Sequence, residues 1–189
     1  MILKHALFAL LLAASPVALA HPESVAGGAF HGLAHPFAGI DHLLAMLTVG
    51  VWAARFCGAA RWLLPAAFVG CMLIGALLGY AGMPLPGTEP MIAASVLVFG
   101  AAVAIAVRMH FALCIFLVGV FALFHGHAHL AEMPEGMPVA AFSAGMLAGT
   151  AALHAAGVLL GVQLGRAIPW LPRALGGAVS LAGAWLLIA

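Results

Sequence analysis

Two short segments of this sequence place histidines next to carboxylates, and both residue types bind divalent metal ions. The first segment, HGLAHPFAGIDH, covers residues 31–42, and the second, HGHAHLAE, covers residues 125–132. The chain has ten histidines, against six Lys and Arg and five Asp and Glu residues. Because imidazole is costly to place in an apolar chain unless something binds it, these positions point to a site.

The types of side chain narrow the choice of ion. Imidazole and carboxylate without thiolate suit Ni²⁺, Co²⁺, Zn²⁺ or Cu²⁺, whereas Ca²⁺ and Mg²⁺ prefer oxygen and Cu⁺ prefers sulfur. The three cysteines form no CxxC pair, so neither a zinc knuckle nor a disulfide framework is indicated. We therefore predict a reversible transition-metal site with six main ligands: His35, Asp41, His42, His125, His129 and Glu132.

Helical spacing relates these residues to one another. His125, His129 and Glu132 stand at i, i+4 and i+7, which is one stripe if the helix persists that far. Pro36 suits the first position of a helix, with His35 as its cap. On such a helix, His35 and His42 are seven residues apart and therefore lie within about 20° of each other around the helix axis. The alternative role for Asp41 is to cap its helix or bond a neighbouring one.

Further residues are weaker ligand candidates. His154 falls near the middle of an apolar run, where it is either a second station for an ion or a buried imidazole bonded to a carbonyl. Glu89 either caps a helix or attracts cations, and His127 is either a ligand or a surface imidazole. The full set of weaker candidates is His21, His31, Met46, Glu89, His127 and His154.

Composition identifies the elements that must position these side chains. Of 189 residues, 66% are hydrophobic and 6% charged, with a mean hydropathy of +1.23. A water-soluble domain needs about a quarter of its residues charged, and a membrane span needs about 20 apolar residues. We predict an all-α polytopic membrane protein with six transmembrane helices and no extramembrane domain. The spans are expected at about residues 37–56, 62–81, 90–107, 111–129, 139–165 and 171–189.

Targeting and charge signals set the orientation. Lys4, the apolar stretch 6–14 and the A-x-A sequence at 18–20 are typical of a cleaved signal peptide. Residues 1–20 are then the signal peptide, with an uncleaved first span as the alternative, and residues 21–189 form the membrane domain. The arginines after residue 20 all fall in the loops after spans one, three and five: Arg55, Arg61, Arg108, Arg166 and Arg173. The positive-inside rule therefore predicts an N-out, C-out membrane protein with both histidine segments on the extracytoplasmic side.

Both histidine segments resemble motifs of the HupE/UreJ family, small membrane proteins associated with nickel hydrogenases and urease and regarded as nickel permeases. The motif HPxxGxDHxLAM followed by VG is matched from His35 to Gly50, and FHGxAHGxE is matched from Phe124 to Glu132. Leu130 replaces the glycine of the second motif. The resemblance, which covers essentially the whole chain, implies a permease for Ni²⁺ or Co²⁺ that supplies metalloenzymes such as hydrogenase or urease.

The leading functional hypothesis is thus a secondary permease or channel, not an enzyme, whose substrate is Ni²⁺ or Co²⁺. The alternatives are an intramembrane metal-dependent hydrolase that uses the same cluster and a metal-handling accessory protein. No resident cofactor is expected, and neither a basic run for nucleic acid nor a P-loop for nucleotide is present. The expected partners are the metal ion and the lipid bilayer. Glycine stripes such as Gly75-x3-Gly79 leave open whether helices of one subunit or of two subunits pack together.

Overall fold

The computed structural model describes residues 24–106 and 109–189 of the chain. This part folds into seven α-helices and one short 3-10 helix, without strands in the described residues. The helices are α1 (Val25–Ala34), the 3-10 helix (His35–Phe37), α2 (Ile40–Ala53), α3 (Ala59–Tyr80), α4 (Thr88–Ile105), α5 (Phe111–Ala131), α6 (Val139–Ala167) and α7 (Leu171–Ile188). The predicted signal peptide at residues 1–20 and the candidate ligand His21 lie outside the described residues.

Helices α3 to α7 confirm five of the predicted spans. Each is long and apolar enough to cross a membrane, and each begins and ends within three residues of the predicted limits. The prediction from apolar runs succeeded here because most of the segments between these runs contain glycine or proline.

The prediction for the first span was wrong in its form. We expected one helix over residues 37–56 with His35 as its N-cap, but α2 has only 14 residues and begins at Ile40 after Gly39. His35 instead ends α1, and the two helical segments on either side of Gly39 meet at 78°. The chain therefore has five continuous candidate spans, or six if this bent pair counts as one.

Helix α1 precedes the first predicted span, in a segment where no helix was predicted, and its glycines explain the omission. The Ser24 hydroxyl caps the helix by accepting a 3.0 Å hydrogen bond from the Gly27 amide. Gly32 then lies so close to the Phe142 backbone that any Cβ would clash with it. Glycine suggests a loop in a soluble protein, but in a membrane bundle it lets two helices touch.

The helices pack in pairs around a small core. Helix α3 lies along α5, α4 lies along α7, and α6 contacts both α1 and α2. Gly50 of α2 and Gly157 of α6 face each other at a close backbone crossing. Helix α2 is nearly buried throughout, from His42 to Ala53. This buried helix connects the two ends of the bundle that carry polar side chains.

Candidate metal site

Four imidazole rings meet near the start of α2. The His129 ring centroid lies 4.8 Å from that of His35 and 4.3 Å from that of His42. The His42 centroid lies 4.8 Å from that of His125, with the two rings perpendicular. The structure thus brings together all four histidines that were predicted as main ligands. We call these four residues the imidazole cluster, and the end of the bundle that carries it the histidine end.

Three separate segments position the cluster. His35 comes from the 3-10 helix, His42 from the first turn of α2, and His125 and His129 from successive turns of α5. The 78° bend before α2 carries His35 across to α5, so His35 and His42 approach His129 from two directions instead of along one helix. Gly126 helps to hold α5 in place, because it touches the Met72 backbone of α3 where a side chain could not fit.

Burial leaves several ring nitrogens of the cluster without partners. His125 is 0% exposed, His129 1% and His42 6%. Among the described residues, no hydrogen-bond partner reaches His42 Nε2, His125 Nδ1 or either ring nitrogen of His129. Buried polar atoms are nearly always bonded to something, so these nitrogens are the most conspicuous polar feature of the core.

Asp41 controls the orientation of His42. Its Oδ1 atom accepts a 2.7 Å hydrogen bond from the His42 amide and lies 2.8 Å from His42 Nδ1. A carboxylate bonded at Nδ1 holds the proton there, so the lone pair of the neutral ring is on Nε2. The nitrogen left without a partner is therefore the one able to bind a metal ion.

Ser95 of α4 has the same relation to His125, and the sequence analysis missed it. Its hydroxyl donates a 2.6 Å hydrogen bond to the Ile92 carbonyl and lies 2.9 Å from His125 Nε2. Because the hydroxyl has a single hydrogen, Nε2–H must donate to Oγ, and the lone pair is then on Nδ1. The available signal was that Ser95 is the only hydroxyl residue between Pro90 and Val107.

Glu132 lies at the rim of the cluster. It is the C-cap residue of α5, which ends at Ala131. Its Oε2 atom lies 3.2 Å from His35 Nε2. The side chains of Glu132 and His35 are 50% and 22% exposed. The expected i, i+4, i+7 stripe is thus completed by a helix cap instead of a helical residue.

His154 lies deeper in the bundle, in the middle of α6. It is 1% exposed, and neither ring nitrogen has a hydrogen-bond partner among the described residues. The Phe68 ring separates it from the cluster, with centroid distances of 4.8 Å to His154 and 5.4 Å to His125. Met46 is fully buried one turn beyond His42. Phe68 was not singled out from the sequence, because one aromatic residue in an apolar run gives no signal.

Other weaker candidates are outside the cluster. His127 faces the opposite side of α5, and its Nε2 lies 3.0 Å from the Met83 carbonyl. His31 is half-buried one turn before His35. Glu89 is exposed in the first turn of α4, which suits stabilisation of that helix end.

The arrangement offers lone pairs but does not yet form a coordination sphere. Within residues 24–106 and 109–189, no three His, Cys, Asp or Glu side chains are arranged to hold one ion. The rings meet edge to face or tilted, at aromatic contact distance. To bind a common ion they would have to rotate, which staggered side-chain rotamers permit.

Comparison with known proteins identifies the family. The profile of the family described as HupE / UreJ protein matches residues 9–186. Protein HupE of Rhizobium leguminosarum bv. viciae is 43% identical over 178 residues, which cover 94% of this chain and 93% of that protein. No solved structure matches the chain. The match over nearly the whole sequence confirms the resemblance seen in the two histidine motifs, and the chain belongs to the HupE/UreJ family.

Proposed function

We propose that this protein is a secondary permease or channel that carries Ni²⁺ or Co²⁺ across the bacterial cytoplasmic membrane into the cell. The observation that carries the proposal is the imidazole cluster: four buried rings from three segments, in mutual contact, with unpartnered nitrogens. Imidazole nitrogen is a ligand that these borderline metals prefer. Membership of the HupE/UreJ family supports the same proposal, because the cluster histidines lie within the motifs that this family shares.

Fixed tautomers make the cluster suited to metal. Asp41 and Ser95 each hold the proton of one imidazole on the far nitrogen, so that His42 Nε2 and His125 Nδ1 carry the lone pairs. Metal-binding histidines usually have such a partner on the second nitrogen. We therefore assign Asp41 as a positioning residue for His42, which differs from the direct ligand expected from the sequence.

The packing of the rings favours passage over permanent binding. A transported ion must bind well enough to enter and weakly enough to leave. Binding of an ion would replace aromatic contacts between the rings, and no cysteine belongs to the cluster. Glu132 and His35 would receive the ion at the exposed rim, and His154 beyond Phe68 would be its next station.

Orientation and energy both favour uptake. The arginines at the opposite end of the bundle are expected to face the cytoplasm, so the cluster faces the periplasm. A membrane potential contributes about 2.3 kcal/mol per charge per 100 mV, or roughly twice that for a divalent ion. This corresponds to a concentration ratio on the order of a thousand, which makes nucleotide hydrolysis unnecessary.

Reconstitution in liposomes tests the proposal. Purified protein under an inside-negative potential should take up radioactive Ni²⁺ or Co²⁺. The His42→Phe variant, which keeps a ring of similar size but loses both nitrogens, should reduce uptake to that of protein-free liposomes. The matched control is His127→Phe, because it makes the same change on the face of α5 away from the cluster, and it should keep uptake within about twofold. Wild-type protein that moves neither ion would overturn the proposal, and so would full activity of His42→Phe.

A further inference from the structure

A second polar region lies at the other end of the bundle, where four arginines surround one cavity. Arg55 follows α2, Arg61 is in the first turn of α3, Arg166 is in the last turn of α6, and Arg173 is in the first turn of α7. The cavity has a volume of about 400 Å³. We call these residues the arginine cavity, and this end of the bundle the arginine end.

The described residues do not balance the charges around the cavity. Guanidinium groups stay protonated at any physiological pH, and no acidic side chain of residues 24–106 or 109–189 lines the cavity. The described acidic residues all lie at the histidine end, either in the first turn of a helix or in the segment after α5: Asp41, Glu89, Glu132 and Glu135. Burial, and then the charge of Arg173, lower the pKa of Arg55 below its ordinary value. An anion in the cavity would relieve both effects.

Hydrogen bonds to the backbone fix the positions of three of the guanidinium groups. Arg55 donates to the Ala106 carbonyl at 2.8 Å and Arg173 donates to the Ala104 carbonyl at 3.1 Å. Arg61 donates to the Phe56 carbonyl at 3.0 Å. Each bond uses one of the five N–H groups of an arginine. The remaining donors form planar forks, which match the geometry of phosphate oxygens.

The remaining walls of the cavity are apolar. They include Val51, Val103, Val162, Pro169 and Pro172. A site for a small soluble anion does not need such walls, whereas a phospholipid brings acyl chains and a charged headgroup together. Basic pockets between transmembrane helices on the cytoplasmic side are known to hold anionic headgroups in this way.

The positive-inside rule alone does not account for the cavity. That rule concerns how many basic residues occupy the inner loops, and it makes no demand that they converge. Here four arginines from two separate loops converge on one space, beside residues from the end of α4. We propose that the arginine cavity binds the phosphodiester headgroup of an anionic phospholipid.

Lipid binding can be measured directly on the intact protein. Purified protein, stripped of lipid in a neutral detergent, is titrated with phosphatidylglycerol, phosphatidylcholine or inorganic phosphate, and retained lipid is counted by native mass spectrometry. We expect one phosphatidylglycerol to be retained in preference to phosphatidylcholine, with no competition from millimolar phosphate. The double variant Arg166→Gln/Arg173→Gln should weaken phosphatidylglycerol binding by on the order of 20-fold. The matched variant Arg166→Lys/Arg173→Lys keeps both positive charges and should recover part of the lost affinity for phosphatidylglycerol.

Several results would overturn the proposal. They are equal retention of the two lipids by wild type, undiminished phosphatidylglycerol binding by the double glutamine variant, and binding of inorganic phosphate without lipid preference. If the double variant fails to fold, Arg166→Gln replaces it, because the Arg166 side chain forms no hydrogen bond to another described residue. This proposal goes beyond the proposed function. Lipid binding is measured without ion flux. A failure to bind phosphatidylglycerol would therefore leave the proposal of metal transport standing, and a failure to transport metal would leave the proposal of lipid binding standing.

Discussion

At the histidine end of the bundle, imidazole rings are largely buried and in contact with each other; at the arginine end, guanidinium groups are permanently charged and surround open space. The same helices, α2 and α6, run through both regions. The imidazole cluster presents lone pairs to a cation, and two of its tautomers are fixed by Asp41 and Ser95. The arginine cavity presents N–H donors, three of them oriented by backbone carbonyls.

The difference follows from how the two kinds of polar group tolerate burial. Neutral imidazole can lie in the core because it has little charge to desolvate, and it becomes a cation ligand only when its lone pair is directed. Guanidinium cannot be made neutral, so it remains near the membrane surface. The type of polar group at each end therefore matches how deeply that group is buried.

Removing the lone pairs from the centre of the cluster gives the largest expected effect. His129→Phe should reduce Ni²⁺ uptake into proteoliposomes by at least about a hundredfold, because losing an outer-shell partner alone costs about 10- to 100-fold in metal affinity. Phosphatidylglycerol binding at the arginine end should not change. Near-normal uptake would mean that the rings serve only for packing, and the contrast between the two ends would be lost.

Removing the charge beside His42 tests the positioning role of Asp41. Asp41→Asn should raise the KM for Ni²⁺ about 10- to 100-fold and change the rate at saturating metal much less, because His42 remains present but is less firmly oriented. The control is Glu135→Gln, an exposed carboxylate of the same end. A lower saturating rate with an unchanged KM would contradict this role.

Ser95 should have a smaller effect of the same kind. One neutral hydrogen bond contributes about 1 kcal/mol, so Ser95→Ala should raise the KM for Ni²⁺ about fivefold, and Ser95→Thr should restore it. Ser180→Ala is the matched control, since the Ser180 hydroxyl donates to the Leu97 carbonyl at 3.0 Å and has no histidine partner. Equal effects of the two alanine variants would indicate a general packing defect.

The rim should be the least sensitive part of the site. Glu132→Gln breaks a pair whose carboxylate is half exposed, and exposed ion pairs contribute at most about 1 kcal/mol. We expect the KM for Ni²⁺ to rise about twofold, and the effect should fade as the salt concentration is raised. An effect as large as that of His129→Phe would make Glu132 a full ligand.

The amino-acid sequence by itself determined the class of protein, five of its spans and the main histidines of the site. Apolar runs broken by glycine and proline define helices in lipid without tertiary information, because the backbone must satisfy its own hydrogen bonds there. The i, i+4 spacing of His125 and His129 likewise depends only on helix geometry. The family motifs led to the same residues, and the family match confirmed the family that these motifs indicated.

Only the tertiary structure decided the bend before α2, the role of Asp41 and the contribution of Ser95. The bend depends on how Gly32 packs against α6 and on the extended backbone of Gly39, and neither is visible from local hydropathy. Ser95 and His125 are 30 residues apart, on different helices, so their contact follows from packing alone. The arginine cavity arose in the same way: local sequence shows that a loop is basic, but only the packing of helices makes separate loops surround one space.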